Sequence, residues 1–219
     1  MRKSRLAWTG EEPVAVLVNA KIDKLLETTS RSFYPTLKYL PKKIRGQIGL
    51  LYLLARLADT IADSKHGETD VLLDLLNKYN DVAQGRSTKL PDFNDLAEIQ
   101  TNPHEAELLM NAEDVIEGLS EYEEGDRQRI LECLEIIVGG QVLDLQRFGP
   151  AKEGGNISSL KTNEELDDYA YRVAGCVGTF WSKMSLAHLM TLSPEKEKLF
   201  LEKGIQFGKA LQMINILRD

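Results

Sequence analysis

The sequence predicts an all-α fold, and three observations carry that prediction. Leu, Ala, Glu and Lys dominate, and the Val/Ile/Thr alternation of strands is nearly absent. Prolines stand at 13, 35, 41, 91, 103, 150 and 194, leaving three intervals of more than forty residues without one. The 219 residues are 42% hydrophobic with only 16 Gly, which excludes disorder and fibrous character. At this length one compact domain, 1–219, buries roughly 70% of its surface.

The elements follow in order. Helices are expected near 14–29, 31–39, 42–64, 69–84, 104–119, 123–147, 163–190 and 194–218. Pro41 opens the third in a first-turn position, where its missing N–H costs nothing. Asn102-Pro103 and Ser193-Pro194 each pair an N-cap residue with a first-turn proline. Thr162-Asn163-Glu164-Glu165 has capping-box spacing. Loops are expected at 85–98 and at 149–161, the latter holding Gly154-Gly155-Asn156. There is no internal repeat and no low-complexity tract.

Charge and cysteine content narrow the function classes. Lys+Arg 27 against Asp+Glu 34 gives −7, the wrong sign for a general nucleic-acid binder. An anionic ligand would then need a local basic patch or bridging cations. The longest apolar run, Gly49 to Ala55, stops at Arg56, far short of the ~20 residues of a membrane span. The start, Met-Arg-Lys-Ser-Arg-Leu-Ala-Trp, lacks a secretory apolar core, so a cytoplasmic chain is expected. Cys133 and Cys176 have no metal-ligand spacing and read as buried reduced thiols. No Glu-x2-His occurs, which argues against a di-iron bundle. The cluster Lys38, Lys42, Lys43, Arg45 reads as a solvated face in preference to a phosphate clamp, with peripheral contact to anionic lipid as a second role.

The chemistry concentrates in two polar stripes. The segment from Ile48 to Asp63 is apolar almost all round, except for Tyr52, Arg56, Asp59 and Asp63, with Thr60 beside them. Spacings of 4, 3 and 4 put the four on one helix face. Two carboxylates one turn apart on a buried helix repel each other and carry a large desolvation cost. A plain alternative pairs Arg56 with Asp59 and leaves Asp63 to solvent, but one Arg does not neutralise two acids. Carboxylates without His or Cys suit Mg²⁺, which fills its other positions with water and phosphate oxygens. The last helix repeats the pattern: Gly208, Gln212, Asn215 and Asp219 are spaced 4, 3 and 4. Two such stripes, each ending in Asp, point to facing halves of one oxygen-rich site.

Between them lies Asp168-Tyr-Ala-Tyr-Arg-Val-Ala-Gly-Cys-Val-Gly178. Gly175 and Gly178 cost about 1 kcal/mol each in a helix. Close helix packing or a smooth wall for a long apolar ligand would each justify them. Helical spacing puts Tyr169, Val173, Cys176 and Phe180 on one face, with Tyr171 and Trp181 off it. Asp144, four residues after Gly140, is either a further cavity residue or a buried cap partner.

Four stretches together resemble the squalene/phytoene synthase family, the head-to-head prenyl transferases. They are Thr29-Ser-Arg-Ser-Phe33, Tyr52-x3-Arg56-x2-Asp59-x3-Asp63, Tyr169-x3-Val-Ala-Gly-x2-Gly178 and Gln212-x2-Asn215-x3-Asp219. The resemblance implies an isoprenoid-synthase-type helical bundle with a central cavity. It also implies joining of two prenyl diphosphates, farnesyl diphosphate through presqualene diphosphate being favoured slightly by the wording of the first stretch. Squalene would follow if NADPH delivers hydride, and a dehydro product if a proton is lost. Carried over, Asp59, Asp63, Asn215 and Asp219 would hold Mg²⁺. Arg56, Tyr52 and Ser30 would contact diphosphate, with Ser30 to Phe33 as a flap, and Gln212, Asn215 and Arg218 would line the same substrate site. Tyr169 would face the carbocation, and Val173, Ala174 and Gly178 would line the prenyl tunnel. The family's second motif is Asp-x3-Asp and this chain stops at Asp219, so the C-terminal helices that close the cavity are expected to be absent from it. Competing readings are phytoene synthesis from geranylgeranyl diphosphate and a non-catalytic helical scaffold. A chain-elongating transferase or terpene cyclase would show Asp-Asp-x2-Asp where this chain has Ala58-Asp59-Thr60.

Overall fold

The computed structural model describes residues 15–64, 68–149 and 159–218. Among them every regular element is helical. The helices are α1 (Ala20–Ser30), α2 (Phe33–Lys38), α3 (Lys42–Ala62), α4 (Thr69–Ala83), α5 (Asn94–Glu98), α6 (Pro103–Met110), α7 (Ala112–Glu117), α8 (Glu124–Phe148), α9 (Asn163–Ala170), α10 (Cys176–His188) and α11 (Pro194–Arg218). A 3₁₀ turn, Gly118–Glu121, follows α7, and a π-helical turn, Tyr171–Gly175, joins α9 to α10.

The near-continuous apolarity of α3 makes it the central rod. Leu50, Leu53, Leu54, Leu57, Ala58 and Ile61 are fully buried, and α1, α2, α4, α6, α7, α8 and α10 all pack on it. Gln47 Nε2 donates to Asp126 at 2.8 Å and Gln141 donates to Asp59, so α3 and α8 run parallel. Lys183 meets Glu132 and His188 meets Asp126, so α10 returns antiparallel to α8. Asp126 thus ties α3, α8 and α10 together at one end of the bundle, and Asp59 with Gln141 stands toward the other.

Several boundaries differ from expectation, each for a local reason. The first helix begins at Ala20 rather than 14. The Val16 and Leu17 amides donate to the buried Asp23 carboxylate at 2.9 and 2.8 Å, and Asn19 caps the helix. The second starts at Phe33, because Arg31 at φ 47° breaks the chain direction, and Pro41 is the N-cap of α3 instead of its first-turn residue. The stretch 85–98 is not all loop: α5 closes it by burying Leu96 and Ala97. The single helix expected over 104–119 breaks at Asn111, whose side chain donates to the Glu107 carbonyl at 2.7 Å and competes with the helical ladder. The helix expected over 163–190 is interrupted by the π turn. Arg45 leaves the basic face assigned to it and is buried, its Nε without a partner. The caps at Asn102 and Thr162 form as expected, accepting from His104 N at 3.1 Å and Glu165 N at 3.2 Å. Residues 150–158 of the second loop, with Gly154-Gly155-Asn156, lie outside the described residues.

Candidate active site

A cavity of about 350 Å³ opens between α3, α8 and the α9–α10 segment. From α3 come Ile48, Leu51, Tyr52, Ala55, Asp59 and Asp63. From α8 come Ile137, Gln141 and Asp144, and from α9–α10 Tyr169, Val173, Val177, Phe180 and Trp181. Phe33 reaches in from α2 and packs its ring 4.9 Å from that of Tyr52. One end is therefore greasy and aromatic, and the other carries three carboxylates.

The π turn decides which residues face this cavity. Its additional residue per turn rotates the helix after it. Val177 and Trp181 consequently join Tyr169 and Val173 in the wall. Cys176 turns away into the core beside Cys133 and gives its thiol hydrogen to the Arg172 carbonyl at 3.1 Å. This corrects the face that a uniform 3.6-residue period places at Tyr169, Val173, Cys176 and Phe180, with Trp181 off it.

Burial pushes the Asp59 carboxyl up to about 6, and Asp63 adds to the rise, while Arg56 and the Gln141 hydrogen bond oppose it. Asp63, which caps α3 at the rim, is also raised by desolvation, with Arg56 lowering and Glu105 raising it. Asp144 is raised by burial against the pull of Arg147. The Tyr169 hydroxyl is raised by desolvation and then by Asp144, is lowered by the Gln212 amide, and feels Asp63 and Asp59. Arg56 does not pair with Asp59. It bonds to Glu105 on α6, which also accepts from Asn102 Nδ2 at 3.1 Å, and its Nε is buried without a partner. A second, polar cavity of about 200 Å³, lined by Arg56, Thr60, Asp63, Ser64, Gln100 and Glu105, adjoins the first through Asp63.

The structure thus brings together Asp59, Asp63, Tyr52, Phe33, Tyr169 and Val173, with Arg56 next door. Gln212 arrives from α11 against Tyr169, so the two stripes approach through that phenol. Asn215 and Arg218 are exposed on α11 and do not line the cavity, although their neighbours Gln212 and Ile216 approach Tyr169, and Asp219 lies outside the described residues. Ser30 is buried in α1 with its hydroxyl donated to the Leu26 carbonyl at 2.6 Å. Ala174 of the π turn and Gly178 of α10 meet α11 and, with Val173, also line an apolar cavity of about 640 Å³ there. A Cβ on Gly178 would stand 2.0 Å from the Gly204 carbonyl oxygen, and one on Gly208 would stand 2.2 Å from that of Ala174. Close helix packing accounts for Gly178. Sequence reasoning missed Gln141 and Glu105. Gln141 stands one turn before Asp144, and Glu105 follows the Asn102-Pro103 cap.

The donor set has a consistent chemistry. Among the described residues no group of three or more His, Cys, Asp and Glu forms a complete metal-binding set. Two carboxylates one turn apart, with Gln141 holding one of them, fit a hard cation that keeps water and ligand oxygens in its other positions. Such a cation would relieve the Asp59–Asp63 repulsion.

The sequence profile of the squalene/phytoene synthase family matches residues 26–219. The chain belongs to this family. It is 27% identical over 206 residues to squalene synthase ERG9 of Saccharomyces cerevisiae, covering 90% of this chain and 41% of the yeast protein. It is 29% identical over 202 residues to the probable squalene synthase of Neurospora crassa, covering 89% of this chain and 38% of that protein. Its fold superimposes on the complex of TcSQS with the ligand E5700 at a TM-score of 0.67 and 21% identity, over 91% of this chain and 54% of that one. The chain therefore spans about two fifths of the length of these curated relatives, and the all-α architecture is shared. Among the described residues no helix is long and apolar enough to cross a membrane.

Proposed function

We propose that this chain carries the diphosphate-ionising site of a head-to-head prenyl transferase, and that residues 1–219 belong to a single helical domain. Farnesyl diphosphate is the favoured substrate, joined in pairs through presqualene diphosphate to squalene or dehydrosqualene. The observation that carries the reading is the convergence of Asp59 and Asp63 with Tyr169 at the end of an aromatic cavity, in a chain of this family.

Asp59 and Asp63, with Asn215 and Asp219 from the last helix, would hold Mg²⁺, which when bound neutralises a departing diphosphate. The remaining work falls to the chain's own groups. Arg56, held through Nη2 by Glu105, would contact diphosphate oxygens with its remaining donors. Phe33, Tyr52, Phe180 and Trp181 keep water from an allylic cation that water would capture at once. Ring faces attract such a cation by ~0.5–2 kcal/mol per contact. Tyr169, poised between acids and apolar wall, sits where the leaving group and the cation separate. Apolar walls also hold the second substrate's double bond against the cation. Net acidity of the protein is no obstacle when metal ions balance the substrate's charge.

The test is incubation of the protein with farnesyl or geranylgeranyl diphosphate and Mg²⁺, with and without NADPH, followed by identification of the hydrocarbons. Squalene only with NADPH supports the favoured branch, and dehydrosqualene without it supports the proton-loss branch. Phytoene from the longer substrate selects the alternative. Normal product formation by Asp59→Asn or Asp63→Asn would remove the site assignment.

A further inference from the structure

The aromatic cavity shares a wall with a second apolar space. Val173, Val177 and Trp181 line both it and the cavity of about 640 Å³ that this segment forms with Phe200, Phe207 and Leu211 of α11. Two members of the common wall are valines, and the third carries the bulkiest of all side chains. Trp181 is partly buried and packs against the core, next in the chain to the fully buried Phe180. On α3 the aromatic cavity runs from Asp63 at the rim to Ile48, and on the facing segment it runs from Tyr169 to Trp181. Acids and the Tyr169 hydroxyl thus mark one end, and Ile48, Phe180 and Trp181 close the other.

We propose, on the prenyl diphosphate reading above, that Trp181 sets the length of prenyl chain the site accepts, admitting three isoprene units and stopping a fourth. Lengths decide the matter. Trp181 follows Tyr169 by 12 positions, which is roughly 18 Å of helix axis. An extended isoprene unit adds four carbon–carbon bonds of about 1.5 Å in zig-zag, or roughly 5 Å. With its diphosphate at the acids, a farnesyl tail of three units spans roughly 15 Å and ends before the indole, whereas a geranylgeranyl tail of four spans roughly 20 Å and meets it. Val173 and Val177 stand alongside the earlier units, and Trp181 stands where the fourth begins. Room for that unit exists, but on the far side of the indole. A smaller residue at 181 would join the two spaces and let the tail continue between α10 and α11, where the lining is apolar apart from Ser182, Ser185 and Lys203.

The test is isothermal titration, in Mg²⁺, with farnesyl and geranylgeranyl thiodiphosphates, which share one head and differ by a single isoprene unit. The parent should bind the shorter analogue roughly tenfold or more tighter, since even one methylene of misfit in an apolar pocket is worth that much. Trp181→Phe should keep this preference, Trp181→Leu should reduce it, and Trp181→Ala should reverse it. The ratio of the two affinities within one protein cancels any general loss of binding. The Phe and Leu variants, which keep an apolar side chain in the wall, carry the comparison if the Ala variant does not fold. An unchanged ratio in the Leu and Ala variants, or a parent that binds the longer analogue as tightly as the shorter, would overturn the proposal and leave the diphosphate site standing. No binding of either analogue by the parent would remove the site reading and the proposal together.

Discussion

Replacing Asp59 with Asn removes a charge that the fold holds at a cost. The Asn side chain can still accept the Gln141 hydrogen bond, so the substitution isolates charge from shape. With its carboxyl raised to about 6 from the usual 3.8, ionised Asp59 destabilises the metal-free protein by about 3 kcal/mol at neutral pH. The sign is fixed by linkage. The folded state binds the proton more tightly than the unfolded state, so stability falls as pH rises from about 4 to 6 and is flat above. Asp59→Asn should therefore be more stable than the parent at pH 7.5 without divalent cation, by up to about 3 kcal/mol or roughly 6–12 °C in Tm for a chain of this size. At pH 4 the gap should have nearly closed, to about 0.5 kcal/mol. Urea unfolding at both pH values, in EDTA, reads the difference directly. A variant less stable than its parent at pH 7.5, or a gap that is not nearly closed at pH 4, would refute the reasoning that burial strains this carboxylate.

Three further outcomes follow from the geometry. Gly178→Ala should lose about 1–3 kcal/mol in urea unfolding, because its Cβ meets the Gly204 backbone at 2.0 Å and one helix must move. Glu105→Ala should cost about 1–3 kcal/mol by leaving the half-buried Arg56 guanidinium without its partner, and Arg56→Leu in that background should recover part of the loss. Gln141→Leu removes the donor that favours ionised Asp59, so a carboxyl NMR titration should find this group at higher pH than in the parent.

The long rods were legible in the sequence because burial imposes its period on them. The stripe in α3 was legible because Tyr52, Arg56, Asp59 and Asp63 interrupt an apolar helix that otherwise has no reason to tolerate charge. Fine breaks were not. Asn111 splits α6 from α7 through a side-chain hydrogen bond that composition does not distinguish from a surface Asn. The π turn at Tyr171–Gly175 changed which side chains reach the cavity, since one added residue defeats any fixed period. Partners across helices were also hidden: Glu105 meets Arg56 from 49 positions away and Gln141 meets Asp59 from 82. Only the packing of α6 and α8 against α3 brings them together. The glycines at 175 and 178 were open between two readings, and the approach of α11 shows that Gly178 serves the crossing.

Asp59 and Asp63 should make diphosphate binding depend on a divalent cation. Isothermal titration of the protein with farnesyl thiodiphosphate, an analogue that ionises slowly, tests it most directly. Saturable binding in Mg²⁺ that disappears both in EDTA and in the Asp59→Asn/Asp63→Asn double variant is the expected result. Equal affinity with and without Mg²⁺, or undiminished binding by the double variant, would contradict it.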